Sequence, residues 1–464
     1  MTKIMDKTQI FEMKRVPKAL LIMSFPAILS QVIILVYNLA DTYFIGKSNN
    51  TFMVGAVSLV LAFYLMLVVI ANIFGVGGGS LITRLLGANK IEEARKVSSY
   101  TIMWTTIVAV IFSLLSLALM EPILKLLGAS EDTIGFAKQY TLFTVVIGGV
   151  PTVLAMMLPM LIRNVGYSKE SSFGVILGAL FNIGLDPLFM FVIFPKGYEV
   201  MGAGIATMIS NYLAMIYFIV LVLKLRNKTV LSFPKRFEKL EKASYKSFFM
   251  VGVPAGLIML LFNIVSIVFM RIGATYSDSA LASIGIILKI ERIPLNITLG
   301  VCLGMVPCVA YNYAKKDYER MDRFFYLSLI SVLVFTLISM VLFFFLAEPL
   351  ISLFIKDGEV ISIGVTLLKS RSFYLPFMAV GFVIINYTQA INHGKESFLL
   401  TVTRHLVLSI PLMLILNFTL GLSALSWSQL IADVLQTIVS IVVFVVIRKS
   451  INKNKEPIHN NELC

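Results

Sequence analysis

Residues 52–80 read FMVGAVSLVLAFYLMLVVIANIFGVGGGS and contain no charged side chain. As an α-helix this stretch would extend for about 43 Å, whereas the hydrocarbon core of a bilayer is about 30 Å thick. A segment at that depth must pair its own backbone groups, and a helix does so. The stretch therefore predicts a transmembrane helix in a membrane protein.

Eleven further apolar stretches of similar length surround it. The twelve predicted spans, numbered 1 to 12 in chain order, are 17–46, 52–80, 94–120, 134–162, 168–194, 198–224, 244–273, 279–308, 320–347, 361–390, 395–420 and 421–447. The composition agrees, because 58% of the 464 residues are apolar and only 14% are charged. Soluble domains are about half apolar and about a quarter charged. The predicted fold class is an all-α polytopic membrane protein, and the composition excludes a disordered chain, a fibre and an ordinary soluble enzyme.

The charged residues between the spans are distributed unevenly. Lys and Arg number 39 against 25 Asp and Glu, and 29 of the 39 fall on the side that holds both termini and the loops after the even-numbered spans. We name this the basic side, and the other the opposite side. By the positive-inside rule the basic side is cytoplasmic, which predicts a multi-pass protein of the inner (plasma) membrane with both termini in the cytoplasm. These cations lie in short loops without a basic folded domain, so no nucleic-acid partner is expected.

No catalytic centre is expected from the reactive residues. Cys302, Cys308 and Cys464 form neither a disulfide framework nor a metal-ligand spacing, and the three histidines are scattered. The sequence also lacks a recognisable nucleophile–base pair. We therefore predict neither an enzyme nor a cofactor.

The longest polar connection, residues 225–245, divides the chain into two predicted lobes, 1–224 and 246–464, the second ending in a cytoplasmic tail. A shift of 227 or 228 residues superimposes several landmarks of the two lobes: Pro26 on Pro254, Glu121-Pro122 on Glu348-Pro349, and Asn164-Val165-Gly166 on Asn392-His393-Gly394. Six spans per half is an even number, so both halves start on the same side. This predicts a parallel 6+6 repeat, with a substrate path between the lobes.

Polar residues in spans 1, 5 and 6 form the first candidate site. A charge inside hydrocarbon is costly, so an intramembrane acid is a functional hypothesis. Asp41 lies three residues after Asn38, and Asp186 four residues after Asn182, spacings that place each pair on one helical face. Thr207 in span 6 reaches a similar depth. Such oxygen ligands suit Na⁺, and two nearby carboxylates suit a proton.

Each of these assignments has a structural alternative. Asp41 fits a solvated helix end, and Asp186 fits an Asp-Pro turn in a broken helix. Asn182 and Thr207 also suit a simple bridge between helices.

A second set of polar residues is assigned to a substrate cavity. Its members are Tyr37 in span 1, Glu291 in span 8, Arg371 in span 10 and Asp433 in span 12, with Lys369 a further cavity candidate. Glu291 has an alternative, because Lys289 and Arg292 flank it and an internal ion pair would neutralise it.

Two backbone features of the first half also carry predictions. Pro26 removes a backbone hydrogen bond in the middle of span 1 and predicts a kink, either passive or a hinge. Residues 75–80, GVGGGS, are similar to a phosphate loop but lack the following Lys-Ser/Thr. Small residues here instead predict close helix packing.

Several of these stretches together resemble the multidrug and toxic compound extrusion (MATE) transporters, in particular bacterial members. The segments that carry the resemblance are NLADTYFIG (38–46), LGAN (86–89), RNVG (163–166), NIGLDPLF (182–189) and GAGIAT (202–207). The likeness extends over essentially the whole chain, including the arrangement of twelve spans.

The resemblance implies a secondary antiporter that exports organic cations or drugs, and so confers antibiotic resistance, in exchange for Na⁺ or H⁺ by alternating access. It implies that Asp41, Asn182, Asp186 and Thr207 form a cation site, with no metal beyond Na⁺ there, and that Pro26 bends with its occupancy. The expected partners are small organic cations and membrane lipids, and the expected state is a monomer. Span 7 has no acid, which argues against a second Na⁺ site in the C-terminal lobe.

Other classes of membrane protein are alternatives to the antiporter. A lipid-linked saccharide flippase of the same wider superfamily would carry cavity cations for a pyrophosphate, and Lys289, Arg292, Lys369 and Arg371 keep it open. A major-facilitator carrier also has a 6+6 repeat, but its loop after span 2 normally carries a Gly-Asp-Arg-Arg-type motif, whereas residues 84–90 read RLLGANK. A channel or receptor would not need a duplicated body.

Overall fold

The computed structural model describes residues 7–48, 50–234 and 239–453, with only the backbone of the last. Part of the predicted linker (235–238) and the tail with Cys464 lie outside the described residues. The α-helices of the described part are α1 (Gln9–Glu12), α2 (Val16–Gly46), α3 (Thr51–Gly87), α4 (Ile91–Ala118), α5 (Met120–Leu126), α6 (Glu131–Thr141), α7 (Gly149–Asn164), α8 (Ser168–Leu188), α9 (Glu199–Leu225), α10 (Lys242–Ala274), α11 (Asp278–Ala314), α12 (Tyr318–Phe345), α13 (Ala347–Ser352), α14 (Gly358–Ser372), α15 (Leu375–Ala390), α16 (Gly394–Val402), α17 (Ile410–Leu420) and α18 (Ala424–Lys453).

The helices follow the predicted spans closely at their apolar centres and differ at their ends. Spans 4, 10 and 11 each consist of two helices, α6–α7, α14–α15 and α16–α17, whereas α1, α5 and α13 are short helices outside the spans. Local capping fixes some starts, as where the Asn50 side chain accepts hydrogen bonds from the backbone N–H groups of Phe52 and Met53 at 3.0 and 3.3 Å. On the basic side α3 and α11 continue past their predicted ends at 80 and 308, to Gly87 and Ala314. These last turns mix apolar residues with Thr83, Arg84 and Asn312, so the apolar pattern does not show where the two helices end.

The number of spans can be counted from the helices. Nine described helices are long and apolar enough to cross a membrane, or eleven when two bent pairs are counted as one span each. One of the nine is the stretch Gly394–Asn452, whose 59 residues are twice what a bilayer needs. It turns at Gly421, where φ is +56°, and α17 packs against α18. It therefore holds both spans 11 and 12, which brings the count to the predicted twelve.

Details of the helices repeat between the two halves of the sequence. Span 4 bends by 51° between α6 and α7, and span 10 bends by 51° between α14 and α15. The short helices α5 and α13 both contain a Glu-Pro pair in their first turn. Spans 5 and 11 each contain a π-helical segment, Phe189–Ile193 and Thr403–Ser409. These correspondences support the predicted repeat.

The chain separates into two compact units. Unit 1 comprises Met1–Leu260, Leu295–Ser328 and Gln389–Gly394. Unit 2 comprises Leu261–Pro294, Leu329–Thr388 and Lys395–Cys464. Unit 1 thus contains the whole first half together with basic-side ends of spans from the second half. The lobe boundary predicted at 225–245 is a different division and stays a prediction.

The glycine-rich stretch 75–80 lies inside α3 and brings α3 against α10. A Cβ atom on Gly77 would meet the Phe248 carbonyl oxygen at 2.7 Å, and one on Gly252 would meet the Ile73 carbonyl oxygen at 2.2 Å. Both contacts are with backbone atoms, which cannot rotate away. The prediction of close helix packing is confirmed, and the stretch is not a phosphate loop.

Alanine at position 77 is expected to destabilise the protein. The added methyl group must push α3 away from α10, and overpacking of this kind costs about 1–3 kcal/mol. Gly55→Ala is a matched control on the same helix, because the nearest atom to its added Cβ would be 3.9 Å away. The thermal unfolding midpoints of the two purified variants check this: a midpoint for Gly77→Ala equal to that of Gly55→Ala would contradict it.

Candidate functional site

Three packed helices of unit 1 hold the residues predicted to form a cation site. Asn38 and Asp41 belong to α2, Asn182 and Asp186 to α8, and Thr207 to α9. Helix α8 packs against both α2 and α9. Helical spacing places Asn182 and Asp186 one turn apart, on one face of α8.

The predicted site residues of α8 and α9 are buried. Asp186 is completely buried, and the exposed fractions of Asn182 and Thr207 are only 3% and 4%. The Asn182 side-chain amide donates a hydrogen bond to the Thr207 hydroxyl oxygen at 3.3 Å. Asp41 is half-buried and lies within electrostatic range of Asp186. The structure therefore brings four of the predicted site residues together.

Most oxygens of this cluster have no protein partner. Both carboxylate oxygens of Asp186, Oδ1 of Asp41 and Oδ1 of Asn182 are buried and accept no hydrogen bond from the described residues. A buried carboxylate without a partner is unfavourable by several kcal/mol. A proton on the carboxyl group removes that cost, and so does a cation between the oxygens. The chemistry of the cluster therefore fits either H⁺ or a hard cation such as Na⁺.

Tyrosines surround the two acids. Tyr37 and Tyr140 each lie within electrostatic range of both Asp41 and Asp186. The Tyr140 hydroxyl also interacts with the Thr207 side chain. Tyr64 of α3 lies within electrostatic range of Asp41. These hydroxyl groups can donate to a carboxylate or bind a cation as ligands, so they add neutral polar groups around the two acids.

Two of these tyrosines, Tyr64 and Tyr140, were not predicted from the sequence. The predicted site was based on charged residues in apolar helices, and Tyr64 and Tyr140 are neutral. A tyrosine within an apolar span could have indicated them, because a buried hydroxyl group needs a hydrogen-bond partner. The structure does not bring the fifth predicted residue, Asn38, into the cluster, since its side chain is exposed. Helix α2 continues through Pro26 without a break, and the hinge stays a prediction.

In unit 2, Glu291 forms an ion pair with Arg371. Arg371 Nε and Nη2 donate to the two carboxylate oxygens of Glu291 at 2.7 and 2.8 Å, and both side chains are buried. The ion pair expected for Glu291 exists, but its predicted partners Lys289 and Arg292 were wrong. Arg371 also donates to the Leu425 carbonyl oxygen at 3.0 Å. This geometry suits a structural ion pair, and the assignment of Glu291 and Arg371 to a substrate cavity stays a prediction.

Asp433 forms the second buried ion pair of unit 2. Arg404 Nε donates to Asp433 at 2.7 Å, and the Gln429 side-chain amide donates to its other carboxylate oxygen at 2.5 Å. Arg404 lies in the π-helical segment of span 11 and is 4% exposed. Glu291 and Asp433 are thus each paired with an arginine, whereas the carboxylates of Asp41 and Asp186 in unit 1 have buried oxygens that accept no hydrogen bond from the described residues.

No group of three or more His, Cys, Asp or Glu side chains that would suit a transition metal occurs among the residues the structure describes. The cluster of Asp41, Asn182, Asp186 and Thr207 instead offers carboxylate, amide and hydroxyl oxygens, a donor set for a hard monovalent ion or a proton.

Comparison with known families adds to this geometry. A family model described as MatE matches the chain twice, over residues 26–188 and 254–415. The chain belongs to the MatE family. The two matches start 228 residues apart, which is the shift found between the repeated landmarks. The first match contains Asp41, Asn182 and Asp186.

Known relatives of this MatE protein are similar over almost their whole length. It is 29% identical to the multidrug export protein MepA of Staphylococcus saprophyticus, covering 96% of this chain and 97% of the relative. It is 30% identical to the MepA of Staphylococcus haemolyticus, covering 91% and 92%. A crystal structure of MATE in complex with MaL6 superimposes with a TM-score of 0.91 at 20% identity, covering 97% of this MatE chain and 99% of the other. The predicted fold class of a polytopic all-α membrane transporter is confirmed.

Proposed function

We propose that the protein is a secondary antiporter that exports organic cations, drugs among them, in exchange for inward Na⁺ or H⁺. The observation that carries the proposal is the set of buried, unpartnered oxygens on Asp41, Asn182 and Asp186. A transporter whose coupling ion binds and leaves in each cycle needs ligands that no other protein group satisfies. The relatives named as multidrug export proteins support the substrate class.

Coupling follows because the organic cation and the coupling ion (Na⁺ or H⁺) are both attracted by the negative charge of Asp41 and Asp186. With both acids ionised, the pocket favours a positively charged substrate nearby. Binding of Na⁺ or H⁺ at Asp41 and Asp186 removes that charge and weakens the hold on the substrate. Linkage requires the reverse effect to be equally large, so substrate binding expels the coupling ion. Exchange by alternating access then moves the two in opposite directions.

The topology proposed for this cycle places both termini in the cytoplasm of a bacterial cell, with the protein in the plasma membrane. The excess of Lys and Arg on the basic side supports it. We also propose two lobes divided at 225–245, with the candidate cation site in the N-terminal lobe and Pro26 as a hinge in span 1. Loss of one backbone hydrogen bond at a proline makes that helix easier to bend there.

The flippase alternative loses support from the ion pairs of unit 2. A lipid-linked pyrophosphate requires cations that are free to bind it, and Arg371 and Arg404 are each buried against a carboxylate. Of the other candidate cations, Lys289 and Lys369 are half-buried and Arg292 is exposed, so Arg371 is the one of the four that its ion pair removes from such a role. Export of a cation is the function that the geometry supports best.

Transport from proteoliposomes under separately imposed gradients tests the proposal. An inward Na⁺ gradient or an inward proton gradient is expected to accelerate export of a fluorescent organic cation about tenfold or more over the rate without a gradient. Only one of the two gradients needs to do so, and that result identifies the coupling ion. Export that responds to neither gradient would contradict antiport. Movement of a labelled lipid-linked saccharide with no export of the dye would instead support the flippase.

A further inference from the structure

The short segment before span 1 is held by residues from the second half of the chain. Phe11 of α1 is completely buried, with its ring centre 5.2 Å from that of Tyr311. The Phe11 carbonyl oxygen accepts hydrogen bonds from Arg320 Nε at 2.8 Å and from Asn312 Nδ2 at 3.2 Å. Arg320 also donates to the Met13 carbonyl oxygen. A segment outside the spans is thus tied down by its backbone as well as by a buried ring.

An ion pair extends this contact. Glu12 Oε1 accepts a hydrogen bond from the Tyr311 hydroxyl at 2.7 Å and lies 2.6 Å from Lys315 Nζ. The hydrogen bond from the Lys315 ammonium lowers the pKa of Glu12 below its usual value, so the carboxylate remains charged at neutral pH. Both side chains of the ion pair are nearly half exposed, so the pair alone is weak. It adds to the buried contacts of Phe11.

The same segment also contacts the first half. The Lys7 ammonium pairs with Glu170, and it lies 4.4 Å from the centre of the Tyr167 ring. Gly166 has a φ of +94°, and a Cβ atom there would meet the Lys7 carbonyl oxygen at 2.7 Å. The loop between spans 4 and 5 therefore fits closely around the start of this segment. Residues 7–13 bridge that loop and the loop between spans 8 and 9, both on the basic side.

We propose that residues 7–13 are a latch that keeps the basic side of the transporter closed and must release the second half before that side opens. The inference rests on the alternating access proposed above. The segment continues directly into span 1 and also holds Glu170 and Tyr167, so it travels with the first half. The contacts that break on opening are then those of Phe11, Glu12 and Met13 with Tyr311, Asn312, Lys315 and Arg320. The buried Phe11 ring makes release a discrete step.

Hydrogen exchange measures the latch without any transport assay. Arg320→Ala removes two hydrogen bonds to the backbone of the segment, so amides of residues 9–15 are expected to exchange about tenfold faster or more. Arg323→Ala is the matched control, since Arg323 lies on the same helix but pairs with Glu319 of that helix. Its exchange is expected to stay within about twofold of the parent. Equal exchange in the parent and in Arg320→Ala would overturn the latch.

Cross-linking asks whether the latch must open for transport. A short bis-methanethiosulfonate reagent, which joins two thiols through disulfide bonds, is applied to Glu12→Cys and Lys315→Cys in a background with the three native cysteines replaced. This cross-link is expected to stop export of the dye, and a reductant to restore it. A cross-link across Glu121→Cys and Lys138→Cys is the control, because that exposed ion pair joins neighbouring helices within the first half. Full export by the cross-linked Glu12–Lys315 variant would overturn the latch as a moving part. If the unmodified protein exports nothing, the proposed function fails and exchange alone decides the latch.

Discussion

Replacement of Asp41 and Asp186 by asparagine is expected to reduce gradient-driven export of an organic cation to the rate of protein-free liposomes. Asparagine keeps the size of each side chain and a hydrogen-bonding carbonyl oxygen, but it cannot carry a proton in exchange or balance the charge of Na⁺. Because Asp186 is completely buried with both oxygens unpartnered, its single replacement is expected to lower the rate about tenfold or more. Dye efflux from proteoliposomes under the effective gradient measures both.

A third acid controls for the loss of a carboxylate as such. Glu121 lies on the opposite side, where it pairs with Lys125 and Lys138 at 2.9 and 2.6 Å, and all three side chains are exposed. An exposed ion pair contributes little to stability, so Glu121→Gln is expected to export at the parent rate. Size-exclusion profiles should show that all variants remain folded. Export at the parent rate by the Asp41→Asn, Asp186→Asn double variant would remove these residues from the mechanism.

Loss of the Arg371 side chain in unit 2 is expected to lower the stability of the protein strongly. Arg371→Met leaves the Glu291 carboxylate buried without its partner, and breaking a buried ion pair in this way costs about 3–5 kcal/mol. The change also removes the guanidinium from the face of the Phe269 ring, whose centre lies 4.3 Å away. We expect a large drop in the thermal unfolding midpoint. Arg292→Met is the matched control, because Arg292 is the next residue after Glu291 and is exposed.

A second variant separates this structural role from a role in binding substrate. Glu291→Gln combined with Arg371→Met removes both charges, and replacement of a whole buried pair is often close to neutral. The double variant is therefore expected to recover most of the lost stability and to export the dye. If Arg371→Met unfolds like the parent but fails to export, Arg371 lines the substrate path and the structural interpretation is wrong.

The positions of the spans could be predicted from the sequence because they depend on a local property. Twelve apolar stretches predict twelve spans, and the apolar centres of all twelve agree with the structure. The helix ends could not be predicted as well, since α3 and α11 continue for about two turns beyond their predicted ends, through residues of mixed polarity. The π-helical segments within spans 5 and 11 also leave no clear mark in the hydrophobic pattern.

The candidate site was predictable where residues are close in sequence, and it was not where they are distant. Asn182 and Asp186 lie one turn apart, so their shared face follows from helix geometry. Glu291 and Arg371 are 80 residues apart, and only the packing of α11 and α14 brings them together. The sequence therefore paired Glu291 with its neighbours in the chain. Tyr140 was missed because it is neutral, and its proximity to the acids also depends on packing between helices that are distant in the chain, such as α6 against α9.

Binding of an organic cation to the purified protein, measured while the concentrations of Na⁺ and H⁺ are varied, shows whether Asp41 and Asp186 hold the coupling ion. If Asp41 and Asp186 hold the coupling ion, raising the concentration of that ion should weaken dye binding about tenfold or more in the parent protein. In the Asp41→Asn, Asp186→Asn variant the dye affinity should no longer respond to either ion. A parent protein whose dye affinity ignores both ions, or a double variant that responds as the parent does, would contradict the account.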